Sequence, residues 1–224
     1  MVKQIKSYSI SIRRNEDSYM NFIIEMDNSL TVIDALDEIR KKIDSSITYR
    51  HSCHHGSCGT CACIINKKER LACMCFLNEF EDNKIIIEPL TSFKIISDLV
   101  VDISTMINKL EGSTYLRESE IGKDSIKPNG ILNWNRFENC IECGSCVSAC
   151  PVKSDFIGPA NLASIDREIS KQTDEKVIKN LKNKAFKNNG VDACDKHYLC
   201  SKVCPTKVYP GKHINNLRKI KSKN

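Results

Sequence analysis

The sequence predicts an α+β protein of two domains, and three observations predict it. Strand-like alternation fills much of the N-terminal half, with a helical segment between its first strands and the cysteine loop. That alternation is missing from the C-terminal part, where the apolar spacing turns helical. Thirteen cysteines fall into three tight groups, one in the strand-rich half and two in the helical half. At 224 residues the chain is long enough for two compact domains of about 100 residues each.

Ile5, Tyr8, Ile10 and Ile12 alternate with polar residues, and Tyr19 to Met26 does so less cleanly. With Asn15, Glu16 and Asp17 between them, the two runs read as a hairpin. Thr31 with Asp34 three residues on makes a capping box, opening a helix that carries Val32, Ile33, Ala35, Leu36, Ile39 and Ile43. After a cysteine-rich loop, Ala62 to Ile65 and Lys84 to Glu88 read as further strands. Hairpin, helix, cysteine loop and two more strands make a β-grasp plan. Pro89 ends the sheet, and Ile96 to Leu110 reads as an apolar-faced helix closing at Gly112. The polar stretch from there to Ile131 reads as a surface crossing. The domains are therefore 1–110 and 111–224, the second all-α, with helices at Ala160 to Lys171 and Glu175 to Phe186.

The first cysteine group is Cys53, Cys58, Cys61 and, after eleven further residues, Cys73. This is the C-x4-C-x2-C...C spacing of plant-type 2Fe-2S ferredoxins. Two irons need four converging thiolates, so a wrapped loop supplies three and a neighbouring strand the fourth. Gly56 and Gly59 let the backbone approach the inorganic sulfides and aim amide hydrogens at them. Cys63 and Cys75 fall outside the spacing and read as small buried hydrophobes.

The second group, Cys140, Cys143, Cys146 and Cys150 followed by Pro151, is the C-x2-C-x2-C-x3-C-P run of bacterial two-cluster ferredoxins, whose fourth cysteine ligates the other cluster. Such a run calls for a second, and Cys194, Cys200 and Cys204 followed by Pro205 supply it. By the crossing rule Cys140, Cys143, Cys146 and Cys204 complete a 4Fe-4S cluster. Cys150, Cys194 and Cys200 remain for the third, and three thiolates suit a 3Fe-4S cluster. Where a full run would place another cysteine stands His197. As a packed or hydrogen-bonding neighbour it leaves a 3Fe-4S cluster; as an imidazole ligand it would complete a 4Fe-4S cluster. Structural zinc uses paired knuckles of two ligands each and needs neither a third cysteine nor a crossing fourth before proline.

The formal charge of +6 and the basic stretch Arg218 to Lys223 invite a nucleic-acid reading. Ligating thiolates and their clusters offset that charge, and the stretch reads as a solvated tail, so no nucleic-acid partner is expected. The N-terminus has no secretory signal, which predicts an intracellular, reducing compartment where dense cysteines are metal ligands. The longest apolar stretches fall short of the roughly 20 residues of a spanning helix, so the chain is not expected to cross a membrane by itself.

Arg50 to Cys53, Gly56 to Cys61 and Leu71 to Cys73 resemble the ferredoxin loop of one family, the iron-sulfur subunit of succinate dehydrogenase and fumarate reductase. Asp98 to Asp102 resembles its linker helix, Phe156 to Ala160 its motif after the first proline, and both C-terminal cysteine runs match its spacing. The resemblance implies an electron relay through 2Fe-2S, 4Fe-4S and 3Fe-4S clusters, with no catalytic residue in this chain. The implied partners are an FAD-bearing catalytic subunit and a membrane anchor carrying quinone. The hetero-oligomer would lie peripherally on the cytoplasmic side of the inner or cell membrane. Two departures fall at the quinone end: residues 152–155 are short and lack the family's tryptophans, and Asp195 and His197 replace the usual residues, while Pro151 is retained. Methanogen thiol-driven fumarate reductases carry a similar iron-sulfur half fused to a further cysteine-rich domain, which for this chain would be a separate thiol-redox subunit. A relay serving a different flavoprotein, and a zinc-stabilised nucleic-acid-binding protein, are the alternatives.

Overall fold

A computed structural model describes residues 4–14, 18–110, 113, 139–152 and 155–222. The chain divides into two compact units, Met1–Ile103 with Ile141–Ser148, and Ser104–Cys140 with Ala149–Asn224.

The first unit runs β1 (Ile5–Arg13), β2 (Tyr19–Asp27), α1 (Val32–Lys42), β3 (Ala62–Ile65), β4 (Lys68–Leu71), β5 (Lys84–Glu88), β6 (Lys94–Ser97) and β7 (Val100–Asp102). β1 and β2 form the expected antiparallel pair, with Ile10 opposite Phe22. The turn residues Asn15, Glu16 and Asp17 lie outside the described residues. Period-two alternation buries Tyr8, Ile10 and Ile12 on β1 and Phe22, Ile24 and Met26 on β2. β1 also pairs in parallel with β5, and the sheet order β2-β1-β5-β3-β4 is the β-grasp arrangement. Parallel neighbours need a long crossover, and α1 with the cysteine loop lies within it. β4, between β3 and the fourth cysteine, carries no strand signal in the sequence, because its Lys68, Glu69 and Arg70 hide the alternation.

α1 starts as the sequence predicts, with the Thr31 N–H and hydroxyl both donating to Asp34 (2.8 and 2.6 Å). It buries Val32, Ile33, Ala35, Leu36 and Ile39 in the core shared with Ile85 and Ile87. Each of these side chains larger than Ala35, fully buried, is worth about 1.5–3 kcal/mol. Ile43 departs from the expected core face. It caps the helix with φ −120°, and its side chain is exposed.

The helix expected over Ile96 to Leu110 is corrected. β6 and β7 form a two-stranded antiparallel sheet, and only α2 (Ser104–Leu110) is helical. Residues Asp98 to Asp102, which resemble a linker helix, are therefore turn and strand. The cause is Asp98, which adopts a left-handed φ of +43° and is 1 % exposed. Its carboxylate accepts from the Thr48 N–H (2.8 Å), the Thr48 hydroxyl (3.0 Å) and Arg14 Nε (3.0 Å). That buried network fixes a reversal that local helical spacing does not register. Gly112, the expected helix stop, lies outside the described residues, as does the crossing over 114–131.

The short helix α3 (Ser145–Ser148) belongs to the first unit. The second unit carries α4 (Pro159–Lys171), α5 (Glu175–Ala185), α6 (Leu199–Lys202) and α7 (Pro210–Lys221). α4 and α5 stand where the apolar spacing predicts. Leu162, Ile165, Leu181, Ala185, Val191, Ile214 and Leu217 form the core of this unit. α7 replaces the expected tail. Pro210 starts it, Ile214 and Leu217 are buried, and Arg218 and Lys221 make specific contacts described below. Gly211, Asn215 and Asn216 have low helix propensity and mask the pattern in sequence.

Candidate functional site

Three of the first four cysteines lie on the irregular loop between α1 and β3, and Cys73 sits in a 3-10 turn at Ala72–Met74 just past β4, not on a strand as expected. Cys61 and Cys73 are buried, with sulfurs 3.4 Å apart. Two thiolates on one tetrahedral metal at about 2.3 Å stand about 3.8 Å apart, so this pair fits a shared iron with little movement. Cys53 and Cys58 are more open. The Ser57 and Cys58 N–H groups donate to Cys53 Sγ (3.2 and 3.3 Å). Backbone amides of His55 and Cys58 hold the Cys53 thiol at about 6, below its ordinary range, whereas burial pushes Cys61 up to about 12. A polar, amide-lined sulfur and a dry one are what a half-exposed cluster needs from its loop.

Gly56 and Gly59 have φ of +78° and +72°, conformations open to glycine. Gly59 is further constrained by the second cysteine run, because a Cβ there would stand 2.7 Å from the Ile141 carbonyl oxygen and 2.9 Å from Cys143 Cβ. A cavity of about 190 Å3 is lined by Cys58 and Cys143, together with Arg50, Leu90 and Val101. The returning segment is fastened by Ser148, whose hydroxyl accepts from the Thr91 N–H (3.0 Å) and donates to Glu69 (2.9 Å). The first loop and residues 141–148 of the second cysteine run are thus neighbours, which spacing along the chain does not reveal.

Cys63 and Cys75 are buried, with both thiols pushed up by burial, as expected for inert core cysteines.

In the helical unit, Cys150 and Cys194 pack against the α4–α5–α7 core, and Cys200 is buried on α6. Burial pushes the Cys200 thiol up to about 11, and the nearby Cys194 and Cys150 add to the shift, so these three sulfurs share one neighbourhood. His197 is exposed, between Lys196 and Tyr198 in left-handed conformations. Cys204 Sγ accepts from the Val208 N–H (3.3 Å). Arg218, expected in a free tail, donates to the carbonyls of Val191 (2.8 Å) and Cys194 (2.5 Å), and Lys221 pairs with Asp192. The basic residues therefore brace the last cysteine run. No helix among the described residues is long and apolar enough to cross a membrane.

Residues 3–108 match the 2Fe-2S iron-sulfur cluster binding domain, and residues 136–208 the 4Fe-4S dicluster domain. The cysteine-lined loops and these matches define an iron-sulfur electron-transfer protein holding 2Fe-2S and 4Fe-4S clusters in a ferredoxin module and a dicluster module. The fumarate reductase iron-sulfur subunit of Haemophilus influenzae is 32% identical over 219 residues, covering 89% of this chain and 85% of that protein. The corresponding subunit of Wolinella succinogenes is 31% identical over 211 residues, covering 90% and 88%. An uncharacterized iron-sulfur protein of Methanococcus maripaludis is 33% identical over 214 residues, 91% of this chain and 41% of that longer protein. In fold, a chain of the Mycobacterium smegmatis Sdh1 complex in the apo form superposes with a TM-score of 0.84 at 22% identity, covering 98% of this chain and 97% of that one. The chain belongs to the family of fumarate reductase iron-sulfur subunits, the electron-transfer subunits of that oxidoreductase.

Proposed function

We propose that the chain, as modules 1–110 and 111–224, relays electrons between the FAD of a separate catalytic flavoprotein and a second redox partner. Cys53, Cys58, Cys61 and Cys73 hold the 2Fe-2S cluster, with Cys61 and Cys73 on one iron. Cys140, Cys143, Cys146 and Cys204 hold the 4Fe-4S cluster, and Cys150, Cys194 and Cys200 the 3Fe-4S cluster. Bound there, the clusters supply the one-electron steps. The chain's own part is to fix the sulfurs, bury some and wet others, and direct amides at them. The approach of Gly59 to Ile141 and Cys143 carries this reading, because it sets the first thiolate loop against the second run.

The terminal partner is a membrane anchor carrying quinone, which would hold the hetero-oligomer peripherally at the membrane. A second reading replaces the anchor by a soluble thiol-redox subunit. It is favoured by the absence of tryptophan from residues 152–155 and by the likeness to a longer archaeal iron-sulfur protein. Purifying the native complex and assaying succinate oxidation and fumarate reduction with a quinone analogue and with a dithiol tests both. A complex lacking flavin would sink the relay reading, and one with flavin but inactive with succinate and fumarate would assign the relay to a different flavoprotein.

A further inference from the structure

Outside the cysteine sites, three side chains with metal-binding chemistry converge on the surface of the strand-rich unit. Asp37 comes from α1, and His51 and His54 come from the loop that carries Cys53. One ligand atom from each lies within 4.8 Å of the other two. His51 Nδ1 and His54 Nε2 are 2.6 Å apart, so close that a single proton lies between them. His51 turns its other ring nitrogen, Nε2, toward Asp37 Oδ1 at 3.9 Å, so the three ligand atoms of a single metal are gathered only to the 4.8 Å spread, and the carboxylate closes on the metal from there.

Each member is held in place from behind. The Tyr49 hydroxyl donates to Asp37 Oδ1. The His51 ring stacks on Tyr49 with centroids 5.4 Å apart, and His54 meets His51 edge-on at 4.8 Å. His54 takes a left-handed φ of +56°, uncommon for a residue with a side chain.

We propose that Asp37, His51 and His54 form a binding site for a divalent transition metal of the zinc class, separate from the cluster cysteines. Two imidazoles and one carboxylate are a donor set that zinc accepts, with a fourth position left to water. Nitrogens bonded to zinc at about 2.0–2.1 Å in tetrahedral geometry stand about 3.3 Å apart. A metal in place of the shared proton therefore opens the imidazole pair only slightly from 2.6 Å, and rotation of the exposed rings supplies that movement. Tyr49 orients the carboxylate as an outer hydrogen-bond partner does around a metal. Such a site favours zinc, copper or nickel over iron(II) by intrinsic affinity. The site does not depend on the relay reading, since none of its ligands is a cluster cysteine.

The test uses anaerobically prepared, cluster-loaded protein dialysed against buffered Zn(II), with zinc and iron counted together by elemental analysis. Stoichiometric zinc without loss of iron is expected, with affinity lowered about tenfold or more in His51→Ala, His54→Ala and Asp37→Asn. The paramagnetic resonance spectrum of the reduced 2Fe-2S cluster shows whether each variant keeps its loop. If His54→Ala disturbs that loop, Asp37→Asn, which lies on α1 away from it, decides. Zinc taken up only as iron is lost, no zinc uptake by the wild-type protein, or equal uptake by wild type and Asp37→Asn would overturn the site.

Discussion

Gly59 and Cys143 are in such close approach that a Cβ on Gly59 would stand 2.9 Å from Cys143 Cβ. The two residues belong to different cysteine runs, so a glycine chosen for one cluster loop also makes room for the next.

Gly59→Ala is accordingly expected to cost at least about 2 kcal/mol, since a left-handed alanine alone costs about 1–2 kcal/mol and the Ile141 carbonyl cannot swing away like a side-chain tip. Thermal unfolding of the cluster-loaded protein measures the loss. A variant as stable as wild type would mean that the segment 141–143 does not seat on the loop.

The ligand sets separate by spectroscopy. Cys194→Ser or Cys200→Ser is expected to abolish the 3Fe signal in electron paramagnetic resonance and to leave the 2Fe signal intact. An unchanged 3Fe signal would reassign those thiolates. His197→Val should leave a 3Fe spectrum in place; conversion from a 4Fe to a 3Fe spectrum would make His197 a ligand.

Arg14 bridges Asp98 (3.0 Å) and Asp44 (2.7 Å). Removing one partner of a buried ion pair leaves the other charge without compensation, which costs about 3–5 kcal/mol. Asp98 keeps its bonds from Thr48, so Arg14→Ala should fall at the low end, about 3 kcal/mol, by denaturant unfolding. A loss close to zero would show that Thr48 alone holds the β6–β7 reversal.

Burial, and then the hydrogen bond to Asp37, raise the Tyr49 phenol to about 12. A group whose folded value is raised contributes stability fully below its unfolded value near 10 and loses it as pH climbs from there toward 12. Stability should therefore decline more steeply with alkali in wild type than in Tyr49→Phe. Parallel alkaline profiles would count against this burial.

Cys75 is fully buried outside both ligand spacings. Cys75→Ser buries a hydroxyl and is expected to cost about 1–3 kcal/mol while the 2Fe spectrum persists. Loss of that spectrum would make Cys75 a ligand.

The sequence by itself determined whatever is local. Cysteine spacing named the 2Fe-2S and 4Fe-4S modules, because loop reach is covalent, and apolar period named β1, β2, α1, α4 and α5, because side chains repeat on a fixed pitch. Tertiary structure decided what distant segments do to one another. Thr48 and Arg14 capture Asp98 and turn an apparent helix into a hairpin, Arg218 reaches back to the carbonyl of Cys194, and Ile141 closes over Gly59. These contacts join residues far apart along the chain, where burial and hydrogen-bond satisfaction, not local periodicity, select the conformation.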